Sequence, residues 1–136
     1  MSKILDGQRP DFQFYFPAPE RKILEIRDDY ELYRGTSELY TDKELTKKAG
    51  VIVNKLEYDR ISSSFTGYVL IGDKGSISYA ANSYSVAEQK SNLYVNQIIY
   101  GTNDFLEAKG FAVAIYDINP ILNTTSPGTI LIYLEK

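Results

Sequence analysis

The chain of 136 residues contains no cysteine, no histidine and no tryptophan. The first absence excludes disulfides, thiol nucleophiles and zinc-thiolate sites, and the second excludes every histidine-based triad. General acid–base chemistry is left to Asp, Glu, Lys and Tyr. No apolar run reaches the roughly 20 residues that a membrane-crossing helix needs, and Met1 to Pro10 lacks the apolar core of a signal peptide. A cytoplasmic protein with no membrane contact is the expectation. An excess of positive charge is also lacking: the net charge is -3, which argues against a nucleic-acid partner, because such partners demand a basic face. No Gly-x-Gly-x-x-Gly follows a strand and no P-loop is present, so neither a nucleotide cofactor nor a metal is expected.

What is abundant is tyrosine, with twelve residues. Tyrosine suits strands, and it suits amphipathic cavities that need an apolar ring with a hydroxyl at its tip. The sequence predicts strands over 12–16, 22–27, 51–58, 65–71, 76–84, 93–100, 111–117 and 129–135. Turn chemistry separates them: Pro17-Ala18-Pro19, Ser62-Ser63-Ser64, Gly72-Asp73-Lys74-Gly75, Gly101-Thr102-Asn103-Asp104, Asn119-Pro120 and Ser126-Pro127-Gly128. The glycine-bracketed turn at 72–75, with β-rich runs on both sides, favours an antiparallel hairpin. Thr41 and Glu44 have the spacing of a capping box, so a short helix or helical turn is expected over Thr41–Lys48.

Eight short strands with hardly any helix point to an all-β domain, either an antiparallel barrel or a sandwich. Closure removes exposed edges, and eight strands leave an interior just able to hold one small ligand. The expected organisation is a single domain over residues 1–136, with 1–21 as an N-terminal arm and possible first strand. Within Ile23–Arg27, strict alternation puts Glu25 and Arg27 on one face and Leu24 and Ile26 on the other. Two readings follow. Either the two charges face water over a Leu/Ile core, or they face a polar-lined lumen and the apolar pair meets another surface.

Several motifs together resemble the allene oxide cyclase family, whose barrel is shared with dirigent proteins. Gly72-Asp73-Lys74-Gly75-Ser76-Ile77-Ser78 resembles that family's Gly-Asp-x-Gly-x-Ile-Ser hairpin. Tyr100 to Gly110 resembles its glycine-rich stretch, and Ile132-Tyr133-Leu134-Glu135 its final strand. Leu39-Tyr40 and Leu45 to Gly50 resemble the approach to its third strand. The resemblance runs from about Ile23 to the C-terminus and implies an eight-stranded antiparallel, calycin-like barrel.

Leu24-Glu25-Ile26-Arg27 is similar to the cyclases' Tyr-Glu-Ile-Asn. The resemblance therefore assigns Glu25 as a catalytic carboxylate facing the lumen, with Arg27 in the place of a water-holding asparagine. Tyr84 corresponds, across a one-residue gap, to a pocket tyrosine, and Tyr68 is a further substrate-binding candidate whose facing depends on register. The family's pocket cysteine has no counterpart here. The resemblance implies a cofactor-independent cyclase or stereocontrolling barrel that folds a small lipid- or polyketide-like substrate for ring closure. A non-catalytic barrel that binds a small hydrophobic ligand is the alternative, and a barrel with a filled core acting through its surface is a third reading. Members of such families form trimers, so a homo-oligomer is expected, with Leu24 and Ile26 suited to its interface.

Overall fold

A computed structural model of the chain describes residues 9–59, 62–81, 84–85, 93–117 and 127–135. The described strands are β1 (Phe12–Phe16), β2 (Glu20–Arg27), β3 (Tyr30–Tyr40), β4 (Lys48–Asp59), β5 (Ser62–Ile71), β6 (Gly75–Ala80), β7 (Tyr84–Ser85), β8 (Leu93–Gly101), β9 (Gly110–Tyr116) and β10 (Gly128–Leu134). They form one antiparallel sheet in the order β1-β10-β9-β8-β6-β5-β4-β3-β2, and a β1–β3 pairing at Tyr15–Tyr40 closes it.

The closed wall has eight staves. β1 and β2 are two halves of one kinked stave: β1 lies along β10 and meets β3 at Tyr40, and β2 takes over β3 from Glu20–Thr36 onward. Pro17 and Pro19 occupy the kink, where a ring without an N–H interrupts the ladder at little cost. β6 and β7 likewise run in turn along β5. The expected barrel is therefore present, and it closes its edges as the strand count demanded.

Period-two alternation decides what fills the barrel. Phe14 and Phe16, Leu39, Ile52 and Leu56, Phe65, Val69 and Ile71, Ile77 and Tyr79, Tyr94 and Ile98, Ala112, Ala114 and Tyr116, and Ile130 and Ile132 all point inward and are buried. The Gly72–Gly75 turn forms the β5–β6 hairpin with Ile71 opposite Gly75, and both glycines sit at positive φ (+48 and +129).

Two expectations about elements are corrected. β3 was not anticipated as a strand, because its inward residues Tyr33, Gly35, Ser37 and Leu39 carry no apolar alternation. Restoring it while merging β1 with β2 returns the stave count to eight. The second correction concerns Thr41–Lys48, where residues 41–47 form a turn and no helix before Lys48 opens β4. Asp42, one residue beyond the expected cap, accepts from the backbone N–H groups of Thr46 and Lys47 and from the Thr46 hydroxyl. Leu45 there has φ of 60, which breaks a helix before it starts. The one helical element among the described residues is a 3-10 turn, Asn103–Phe105.

Candidate functional site

The two ends of the barrel are built differently. At one end the 3-10 turn tucks Phe105 into the lumen, where its ring meets Phe12 edge-on at 5.6 Å. The plug is tied to the β5–β6 hairpin by reciprocal bonds. Thr102 N–H donates to Ser76 C=O at 3.0 Å, Ser76 N–H donates to Thr102 Oγ1 at 2.9 Å, and Asp104 N–H donates to Lys74 C=O at 2.9 Å. Gly101 is required here, since a Cβ would lie 2.0 Å from the Phe105 carbonyl oxygen.

The other end is polar. The kink at Pro17–Pro19 turns Arg21 onto the inner register opposite Gly35, and Pro19 packs beside that glycine. The Arg21 guanidinium carbon lies 4.9 Å from the centroid of the Tyr33 ring, a cation–π contact worth roughly 0.5–2 kcal/mol. The Tyr33 hydroxyl donates to Glu31 at 2.6 Å, which places a carboxylate two residues along the same inner face. Below them Pro19, Arg21, Tyr33, Gly35, Asn54, Leu56, Phe65 and Tyr116 line a pocket of about 20 Å³ among the described residues, about the room of one water.

Asn54 organises the wall of this pocket. Tyr79 donates its hydroxyl to Asn54 Oδ1 at 2.6 Å, and Asn54 Nδ2 donates to Tyr116 Oη at 3.2 Å. Gly67 on β5 makes room for the pair, because a Cβ there would meet Asn54 Oδ1 at 2.2 Å. Burial pushes the Tyr79 hydroxyl well above its usual range, with the neighbouring Tyr116 adding to it. Tyr116 is raised for the same first reason and then by Tyr94, against the opposing pull of Arg21 and of the Asn54 hydrogen bond. Both phenols are neutral at physiological pH and act as hydrogen-bonding groups. Phe65 completes the layer, stacked on Tyr94 at 4.7 Å and meeting Tyr116 edge-on at 6.3 Å.

One further buried asparagine behaves differently. Asn96 on β8 is fully buried, and its Nδ2 donates to the backbone carbonyls of Ala112 at 3.0 Å and Tyr94 at 3.4 Å. Its Oδ1 has no donor among the described residues, a condition that ordinarily costs about 1–3 kcal/mol.

The register decides the facing of three candidate site residues, and it differs from the lumen-facing position that the resemblance gave Glu25. A bulge between Ile23 and Glu25 places Ile23 opposite the inward Tyr33 but Glu25 opposite Leu32, on the outer face. Glu25 and Arg27 thus stand outside the lumen, with their side chains 44% and 66% exposed, as an ion pair that carries the Arg27 guanidinium 4.4 Å over the Tyr30 ring. Tyr68 is also outward, at 43% exposure, while its neighbour Val69 is fully buried. Tyr84 pairs with Ser63 through β7, and its side chain lies outside the described residues. Leu24 and Ile26 are exposed at the surface. The residues that do converge inside, Arg21, Glu31, Tyr33, Asn54, Tyr79 and Tyr116, were not singled out from sequence. The available signals were the lone asparagine in Val51-Ile52-Val53-Asn54 and the arginine two residues after the second proline of a double-proline kink.

Outside the barrel, β8 leaves β9 after the Gln97–Phe111 pair, and an open groove of about 960 Å³ lies between Ile99, Tyr100, Leu106, Lys109 and Glu135. Among the described residues, no cluster of three or more Asp and Glu could hold a metal ion, and no helix is long and apolar enough to cross a membrane.

Fold and site together define a small closed β-barrel with one plugged end and one polar, aromatic end. Compared by sequence, the chain matches no family model and no curated protein. Compared by structure, it is similar to a pterocarpan synthase dirigent protein, with a TM-score of 0.64 and 16% identity over 90% of this chain and 86% of that one. The likeness is to the dirigent barrel, and it does not single out the allene oxide cyclases.

Proposed function

We propose that this barrel takes a small hydrophobic, lipid- or polyketide-like ligand at its polar end and steers it toward ring closure without a cofactor. The observation that carries the reading is the asymmetry of the lumen, with Phe105 closing one end and Arg21, Tyr33, Asn54 and Tyr116 converging at the other. Such a wall can hold a ligand's oxygen by charge and hydrogen bonds, and its side chains must part from the roughly 20 Å³ they now enclose for a carbon skeleton to lie against Phe65 and Leu56. Fixing a reactive chain in one conformation is catalysis by orientation, which supplies several kcal/mol without any group changing its protonation. The similarity to a protein named a dirigent protein supports stereocontrol as the mode of action.

Native mass spectrometry of gently purified protein tests the proposal and counts the subunits, so it also examines a homo-oligomer. An apolar mass retained by the wild type and lost from Arg21→Met is the expected result. An empty chain that also fails to bind a fluorescent fatty acid would overturn it. A second reading, a barrel that holds its ligand unchanged, is favoured by one observation: Glu25, the carboxylate that the cyclase resemblance relies on, faces outward. Turnover of the retained molecule separates the two.

A further inference from the structure

Asn54 and Asn96, the two buried asparagines among the described residues, are treated unequally by the fold. Asn54 is satisfied at both ends of its amide, by Tyr79 and Tyr116. Asn96 is satisfied at one end only. Its Nδ2 is held by two backbone carbonyls of the wall, those of Ala112 and Tyr94. These bonds fix the plane of the amide and direct Oδ1, on its opposite branch, away from the backbone that holds it. Asn96 shares its inward face with Tyr94 and Ile98, so away from that backbone is into the lumen. No donor among the described residues reaches Oδ1.

The surroundings offer small side chains in place of a partner. Across the β8–β9 ladder, Asn96 is opposite Ala112, and the next inward residue on β9 is Ala114; both are fully buried, and both are small. A leucine at position 96 would fill such a site without leaving a polar atom unsatisfied. A lone acceptor beside a wall of alanines is the arrangement a ligand donor requires.

We infer that Asn96 Oδ1 is the acceptor for a hydroxyl or N–H group on a small planar ligand taken into the lumen. The ligand's ring takes its place in the aromatic layer of Phe65, Tyr94 and Tyr116, whose rings already stack and meet edge-on. This inference rests on the reading of the lumen as a ligand site and adds the chemistry that the ligand must carry. Specificity of this kind is strong, because a ligand lacking the donor leaves a buried acceptor unsatisfied.

The test is a matched pair of probes, phenol and anisole, titrated into the full chain and followed by NMR. The two share a ring, but only phenol has a proton to give. Phenol is expected to bind about 10-fold more tightly than anisole, equivalent to about 1.4 kcal/mol, and Asn96→Leu is expected to abolish that preference while both rings still bind. Equal binding of the two probes by the wild type, or a preference that survives in Asn96→Leu, would overturn the inference and leave the lumen reading intact. Failure of both probes to bind would remove the lumen reading and the inference with it. If Asn96→Leu does not fold, the side-chain amide signals of Asn96 in the wild type decide. They should shift with phenol and not with anisole, and identical shifts would refute the assignment.

Discussion

The plugged end and the polar end of this barrel are held by different physics. The plugged end is a backbone construction, in which Gly75, Gly101 and Gly110 let strands and turn approach to distances no Cβ permits, and one ring, Phe105, fills what remains. The polar end is a side-chain construction. Arg21 lies over Tyr33, Asn54 bridges Tyr79 and Tyr116, and the residual space is about 20 Å³. A backbone-built end tolerates no change of shape, whereas a side-chain-built end can exchange its partners for those of a ligand. Stability is therefore expected to reside at one end and selectivity at the other.

The sharpest way to break this comparison is Phe105→Ala. The ring is buried against Phe12, and its loss leaves a cavity that the glycine-locked turn cannot collapse into, so the expected cost is about 3–5 kcal/mol. Urea unfolding measures it. A loss below about 1 kcal/mol would show that the plug is not a stability element.

At the polar end a smaller and pH-dependent effect is expected from Tyr79→Phe. Near neutrality the variant leaves Asn54 Oδ1 buried without its donor, at a cost of about 1–3 kcal/mol. Burial raises the folded-state pKa of Tyr79 above its ordinary value of 10.0. The stability contributed by the neutral phenol is thus fully present below pH 10 and is lost as pH rises beyond it toward the raised folded value. The gap between wild type and Tyr79→Phe should narrow above pH 10, as read by denaturant melts across alkaline pH. A constant gap would mean that Tyr79 titrates alike in the folded and unfolded chain.

These expectations depend on features of unequal legibility in the sequence. Strands such as β5 and β6 announce themselves, because two β-rich runs, Phe65 to Ile71 and Ser76 to Ala80, are joined by a glycine turn. β3 does not, since its lumen side carries Gly35 and Ser37 to accommodate the packing of Pro19 and a bond from the Ser37 hydroxyl to the Pro17 carbonyl. The facing of β2 was illegible for a sharper reason. Alternation assigns faces only while the register holds, and the bulge after Ile23 shifts it by one residue at the point where the resemblance had placed its carboxylate. Arg21 entered the lumen through a proline kink, a three-dimensional event with no periodic trace. The site was thus hidden wherever the ladder is irregular, and irregular ladders are where barrels aim their side chains.

The smallest expected effect is also the most discriminating. Glu25→Gln removes one charge from an outer-face pair with Arg27. Exposed ion pairs contribute little, because water screens them and two long side chains must be held still, so stability should stay within about 0.5 kcal/mol of the wild type. Ligand retention should be unchanged as well, since no lumen-lining residue is touched. The cyclase resemblance expects the opposite for turnover, with Glu25 acting on the substrate from inside. A variant that folds and retains its ligand but has lost turnover would place Glu25 back at the reacting atoms, and the bulge would then have to relax when substrate binds. Unchanged turnover would turn attention to Glu31, the carboxylate that accepts from the Tyr33 hydroxyl beside the Arg21–Tyr33 stack.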